Sequence, residues 1–274
     1  MLNKILNLQN MLRVSCKPGN NFKIGFGFIL ILLTILSLMP IKLYSQPLFL
    51  GVKGGLSIPE LQGGGTPQSE GYSSRLAPNF GAYINYELNS YISFQAEVLF
   101  SGQGGVRNGM QPIDNVSNLP VPPNTSLYAN FDNETILNYL EIPVLIKYNY
   151  SRSTSGIYAY IDAGPYLGIL LNAKTETSGN SNIYLDPSGS TLLTVNGYPV
   201  PSQDFNAETD NSSKINKVNV GITGGIGIGM SIDHSLLDLD LRAVYGFIPI
   251  QADEENGSNH TGALYLTIGY GFKI

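Results

Sequence analysis

GALYLTIGYGFKI, residues 262–274, ends the chain on two unlike faces. Leu264, Leu266, Ile268, Tyr270, Phe272 and Ile274 fill the even positions and are all apolar or aromatic, while Tyr265, Thr267, Gly269, Gly271 and Lys273 between them are small or polar-tipped. A period of two belongs to a strand. Two settings use such a strand. In a water-soluble sandwich the apolar face covers a core; in a transmembrane barrel it meets lipid and the polar face lines a lumen.

The same alternation recurs seven times upstream, at 48–57, 79–88, 91–102, 136–150, 157–171, 215–231 and 236–250. Gly, Pro and Asn punctuate the intervals, and Pro143, which lacks an amide hydrogen, predicts a bulge or weakened pairing inside the fourth strand. The connections alternate long and short. Long loops at 58–78, 103–135, 172–214 and 251–261 with short turns between them are the plan of an outer-membrane barrel, whose strand number is even and whose long loops lie outside the cell. A soluble sandwich gives no reason for such sorting, although it remains the alternative fold. The expected fold class is therefore all-β, an eight-stranded antiparallel up-and-down transmembrane β-barrel with long extracellular loops and short periplasmic turns. Aromatics near strand ends, such as Tyr91, Phe100, Tyr148, Tyr150, Phe247, Tyr270 and Phe272, fit interfacial girdles.

The start of the chain differs from the rest. Residues 1–45 hold Lys4, Arg13, Lys17, Lys23 and Lys42, no acidic residue, and the apolar run 24–39. A positive region, a short apolar run and then LYSQ is the layout of a secretory signal peptide, cleaved between Ser45 and Gln46 or within a few residues of it, with Met11 an alternative start. The expected domains are a signal peptide at 1–45 and a barrel at 46–274. The single cysteine, Cys16, precedes the apolar run, so the mature chain has no disulfide, thiolate metal site or cysteine nucleophile. It keeps ten Lys plus Arg against twenty Asp plus Glu, a net charge of −10 that argues against nucleic acid as a partner.

Three segments, LNYLEIPVLIKY at 137–148, YIDAGPYLGILL at 160–171 and LTIGYGFKI at 266–274, together with GVKGGLS at 51–57, resemble the PorT-like outer-membrane β-barrel family of Bacteroidota-type bacteria. The resemblance spans the mature chain. It implies a signal peptide, eight strands, a terminal aromatic strand and an outer-membrane location in a Gram-negative bacterium. It also offers a link to protein secretion, and it brings no catalytic residues.

The face opposite the apolar one carries Lys53, Glu87, Glu97, Glu141, Lys147, Asp162, Asp238, Asp240 and Arg242. A charge facing lipid at the midplane costs roughly 2–4 kcal/mol for Lys or Arg. These residues are expected to form a structural network inside a barrel just wide enough for its own side chains. A narrow ion path past the acidic members is the sharper alternative. Gly225, Gly227 and Gly229 recur inside a strand, where they make room for bulky lumen groups, not in the strand–turn–helix setting of a phosphate loop. Of the two histidines, His234 is expected in a periplasmic turn and His260 in an outer loop near Asp253, Glu254 and Glu255. Neither lies on a strand face beside a serine, so a lipid-modifying or proteolytic barrel enzyme is a secondary reading. The expected function is a non-enzymatic, solute-closed outer-membrane protein that binds a partner or supports the envelope, with no catalytic, cofactor or metal residues. Its expected partners are outer-membrane lipid and lipopolysaccharide, the barrel-assembly machinery acting through Tyr270, Phe272 and Ile274, and an unidentified protein.

Overall fold

The structure is a computed structural model that describes residues 46–113, 121, 125–150, 156–253 and 257–274. The expected leader, with Cys16 and Met11, lies outside these residues, as do Glu254 and Glu255.

Among the described residues eight long strands form the barrel: β1 (Leu48–Gly64), β2 (Ala77–Glu87), β3 (Ile92–Ile113), β4 (Leu127–Tyr150), β5 (Gly156–Ser178), β6 (Val218–Ile232), β7 (Ser235–Gly246) and β8 (Ser258–Lys273). Each pairs antiparallel with its neighbours in sequence, and β8 pairs with β1, so the sheet closes. Closure removes every edge, which is the condition for crossing a bilayer with strands. Pairing carries Leu48 to Tyr86, Phe94, Ile146, Ala163, Gly224, Ala243 and Leu264, and returns to β1 at Ile58, ten residues beyond the start. At ordinary strand spacings, that stagger over eight strands tilts them by about 40°. Such a barrel is narrow and its interior is filled by side chains.

The alternation does what the sequence asks of it. Leu50, Val52, Leu56 and Ile58 on β1 and Leu264, Leu266, Ile268, Tyr270 and Phe272 on β8 face outward and are exposed, while Lys53, Ser57, Tyr265 and Thr267 face inward and are buried. Exposed apolar surface on this scale, wrapped around a charged interior, suits lipid and not water. Phe80 stacks on Phe100 with ring centroids 5.1 Å apart, and Tyr91 on Tyr148 at 6.4 Å near the short-turn end. The strand glycines have the expected use: a Cβ on Gly227 would overlap the Tyr160 ring, and one on Gly229 the Tyr158 ring.

The strands run further outward than the pattern implies. Pro59 and the glycines after it do not end β1, which continues to Gly64, where Gly63 and Gly64 take φ values of 93° and 147°. The segment 103–135 is only in part a loop, because β3 continues to Ile113 and β4 begins at Leu127. On β5 the register slips by one residue, so that Asn138 opposes Asn172 while Tyr139 opposes Leu170. Leu171 is the extra residue, and beyond it the inward positions change parity, with Ala173 buried. A bulge of this kind resets which face a side chain takes, so the strand continues where the alternation stops. Pairing is interrupted on both sides of the Pro143 region: Ala96↔Val144 is followed by Leu99↔Glu141, and Pro143↔Tyr166 by Ile146↔Ala163.

Above the lipid band, β3, β4 and β5 form a ledge. The segment after β5 carries short pairings of its own, Asn180–Ser181 with Gln203–Asp204 and Thr194–Val195 with Tyr198–Pro199; it meets β4 through the bridge Tyr128↔Tyr184, and Ala207–Asp210 adds to the upper end of β5. Leu127, Ile183, Leu193 and Val200 are buried together as a second small core. At its tip Asp186 accepts hydrogen bonds from the Ser188 hydroxyl and from the backbone N–H groups of Ser190 and Thr191, which hold its carboxyl well below the usual range.

Candidate functional site

The inward residues of β3, taken from the short-turn end outward, lead through the whole lumen: Ser93, Gln95, Glu97, Leu99, Ser101 and Gln103. Each belongs to a tier that other strands complete.

The lowest tier is amide and hydroxyl. Asn85 on β2 donates through Nδ2 to Ser93 Oγ at 3.3 Å and to Gln95 Oε1 at 3.0 Å, and Asn149 on β4 donates to Ser93 Oγ at 3.4 Å. Lys147 Nζ donates to Gln95 Oε1 at 3.2 Å, lies 4.0 Å from Asp238 Oδ1, and sits 3.8 Å from the centroid of the Tyr160 ring. This cation thus has a carboxylate, an amide and an aromatic face as its shell.

The second tier is ionic and centres on Arg242 of β7, which is 2% exposed. Its Nη1 donates to Glu97 Oε2 at 2.9 Å, and its Nη2 donates to Asp162 Oδ2 and Asp240 Oδ2, each at 3.0 Å. Lys53 Nζ of β1 reaches Glu97 Oε1 at 3.2 Å and Asp240 Oδ2 at 4.0 Å. The Tyr160 hydroxyl donates to the same Asp240 oxygen at 3.0 Å. A planar fork with fixed donors suits this role better than a point-charge ammonium would. Removing such charges from water is costly, and only dense pairing compensates it.

The third tier holds a carboxylate that makes no ion pair among the described residues. Glu141 of β4 accepts from the Tyr265 hydroxyl at 3.0 Å and from Gln103 Nε2 at 3.1 Å; Ser101 Oγ and the Tyr265 hydroxyl lie 2.7 Å apart. Tyr166, Val244 and Ala263 pack beside Tyr265. Over this lies an apolar tier, Leu61, Leu137, Tyr139, Leu170, Ala173 and Ile250, all buried in one cluster. A wetted path would have to pass this seal as well as the ion pairs.

Of the residues expected to line the lumen, Lys53, Glu97, Asp162, Asp240 and Arg242 meet directly, Lys147 and Asp238 lie together beside them, and Glu141 stands one tier outward. Glu87 ends β2 half-buried, opposite Ser93 in register. Sequence reasoning missed Gln95, Ser101, Gln103 and Tyr265 as members of the network. Gln95 and Tyr265 fall on the inward face of the alternation, whereas Gln103 was expected in the loop 103–135 that β3 in fact crosses as a strand, and which strands bring these side chains into contact depends on register. Tyr270 and Phe272 on β8, and Ile274 just beyond it, face outward and are exposed.

One expectation about the histidines needs correction. His260 is not in an outer loop but on β8, opposite Gln62, with Nδ1 3.0 Å from the Gly246 carbonyl oxygen and its ring stacked on Tyr245 at 5.8 Å. The outer end of β8 reaches further than its apolar run because its partner β1 also continues. His234 is in the exposed turn between β6 and β7, where its carbonyl accepts from Lys273 N at 2.7 Å. Among the described residues, no three His, Cys, Asp or Glu side chains group as a metal site.

No curated protein matches the sequence. Among solved structures the chain is similar to the N-terminal β-barrel domain of OprF from Pseudomonas aeruginosa, at 9% identity and TM-score 0.37 over 82% of this chain and 97% of that one. It is also similar to Ail of Yersinia pestis in complex with a heparin analogue, at 12% identity and TM-score 0.35 over 84% and 100%. The outer membrane protease OmpT from Escherichia coli matches at 8% identity and TM-score 0.31 over 85% and 99%. The family profile described as outer membrane protein beta-barrel domain matches residues 44–252. With a closed ring of eight strands, a lipid-facing exterior and that match, the chain belongs to the outer membrane protein beta-barrel domain family and resides in the outer membrane of a Gram-negative bacterium.

Proposed function

We propose that this protein is a non-enzymatic barrel, closed to solutes, that holds a rigid extracellular ledge above the membrane for a protein partner. The observation that supports it most is the tiered lumen, in which a guanidinium with three carboxylate partners is topped by an apolar seal. A lumen filled this way contributes rigidity in place of transport. The ledge has its own buried core, and Tyr198 stands exposed at its hairpin, held by Asn196 and Gly197 in left-handed conformations. A rigid aromatic in that position costs little ordering on binding. On this reading residues 1–45 direct export, Tyr270, Phe272 and Ile274 address the chain to barrel-assembly machinery, and lipid with lipopolysaccharide surrounds the wall. Membership of the PorT-like branch, with its link to secretion, fits the LEIP and AGPYLG segments. Planar-bilayer recording tests closure: the mature protein should be electrically silent, and Asp238→Asn should leave it so. Steady conductance by the wild type that changes with Asp238→Asn would replace the closed barrel with a narrow pore. A photo-crosslinker at position 198 in intact cells should capture one protein, and capture of none would remove the ledge from the reading.

A further inference from the structure

At the outer mouth of the barrel the apolar seal is itself one wall of a cavity of about 180 Å³ between β1, β4, β5 and the segment 211–215. Its apolar lining is Leu61, Tyr72, Leu137, Ala173, Ile215 and Ile250. The volume slightly exceeds that of the roughly 150 Å³ apolar cavity known to accept benzene, so one aromatic ring or a short branched chain fits.

The polar groups around it are largely engaged with one another. Asn211 Nδ2 donates to Thr175 Oγ1 at 2.8 Å, Gln251 Nε2 to Asn259 Oδ1 at 2.6 Å, and Asn259 Nδ2 to the Ser69 carbonyl at 2.8 Å. The first bond ties the segment after the ledge to β5 and the other two tie the β7–β8 connection, β8 and the β1–β2 connection together, while Ala252 N donates to the Lys214 carbonyl at 2.9 Å and joins the two sets, so binding would order little. Charge adds a second constraint. The chain has more acidic than basic residues, yet among the described residues no Asp or Glu lines this cavity, whereas Lys174 and Lys214 do. Lys174 is held by Glu176 and by Glu208. Lys214, exposed at the rim, makes no ion pair among the described residues.

We propose that this mouth binds a small anionic amphiphile, an aryl or branched-alkyl carboxylate, with its apolar part on Leu137, Ala173 and Ile250 and its carboxylate toward the Lys214 ammonium. This binding uses the outer side of residues that also form the seal, and it leaves the ion pairs below untouched. Fluorine NMR of the mature protein in lipid nanodiscs tests it with 4-fluorophenylacetate and its uncharged amide as probes. The wild type should bind the acid saturably, and Ala173→Phe, which fills the cavity, should abolish that binding. Lys214→Gln, an exposed change that leaves the fold intact, should weaken the acid about two- to fivefold, the usual effect of one exposed charge pair, and leave the amide unchanged. Three results would overturn the proposal: no saturable binding by the wild type, undiminished binding by Ala173→Phe, which would mean partition into the bilayer, or equal loss of acid and amide with Lys214→Gln.

Discussion

Arg242 shows how much one side chain can decide. Its two terminal nitrogens serve three carboxylates carried by β3, β5 and β7, so the guanidinium fixes the relative positions of three strands inside the wall. Replacing it by Gln would leave Glu97, Asp162 and Asp240 to Lys53 and Lys147. Breaking a buried pair in this way costs about 3–5 kcal/mol, and urea unfolding in lipid vesicles, followed by the mobility of the folded band, should show a loss of that size. A loss below about 1 kcal/mol would mean that water already reaches the carboxylates. The glycines make a sharper contrast. Gly227→Ala drives a methyl into the Tyr160 ring and should cost about 1–3 kcal/mol. At Gly54 the new Cβ would meet only Phe80 Cβ, at 3.7 Å, and in the same assay Gly54→Ala should change stability by no more than about 0.5 kcal/mol. Equal effects at the two sites would show that backbone freedom, not room for a tyrosine, is what these positions require.

At the scale of elements, the ledge is the part of the molecule that stands apart from the barrel. Leu193 is 5% exposed among Leu127, Ile183 and Val200, and its backbone N–H donates to the Ile183 carbonyl at 2.8 Å. Leu193→Asp buries an unpaired charge there. Added protease should then cut the segment between β5 and β6 in whole cells, while the barrel still runs as a folded band. Resistance equal to that of the wild type would mean that the small core does not hold the segment. The ledge also marks where reading the sequence runs out. Within the lipid band the outward face is apolar and the inward face mostly polar, with Leu99 and Leu145 as inward exceptions, and the alternation of residues 48–57 or 264–272 suffices to place those strands. Above the band both faces meet water or loop, so the rule lapses. Pro59 and Gly63 then look like breakers although pairing continues past them, and the extra Leu171 on β5 shifts the parity of everything after it. The ionic tier was legible as a set of inward charges. Its wiring was not, because Arg242 and Glu97 are joined only by the register of a closed ring, which no local pattern records. Tyr265 joined Glu141 for the same reason.

The whole molecule depends on one long-range event, the pairing of β8 with β1. That ladder runs from Phe49↔Lys273 to Gly64↔Ser258, and at its inner end Ile274 N donates to the Leu48 carbonyl at 2.9 Å and Lys273 N to the His234 carbonyl at 2.7 Å. Deleting residues 272–274 would remove the last rungs of this ladder but leave most of its length, along with the ionic tier and the seal. The thermodynamic loss should therefore be modest, and the truncated chain should still refold in lipid vesicles in vitro. In cells the outcome should differ. Phe272 and Ile274 are exposed on the outer face, where lipid contact alone asks only for apolar side chains and not for an aromatic residue at the chain end. If assembly machinery reads that end, membrane insertion of the truncated protein in vivo should fall severalfold while its refolding in vitro remains normal. Normal insertion in cells would deny the terminal residues an addressing role. Failure in vitro as well would show that the final rungs are needed for closure itself, because pairing between strands so distant in sequence must offset the loop entropy of nearly the whole chain before it gains anything.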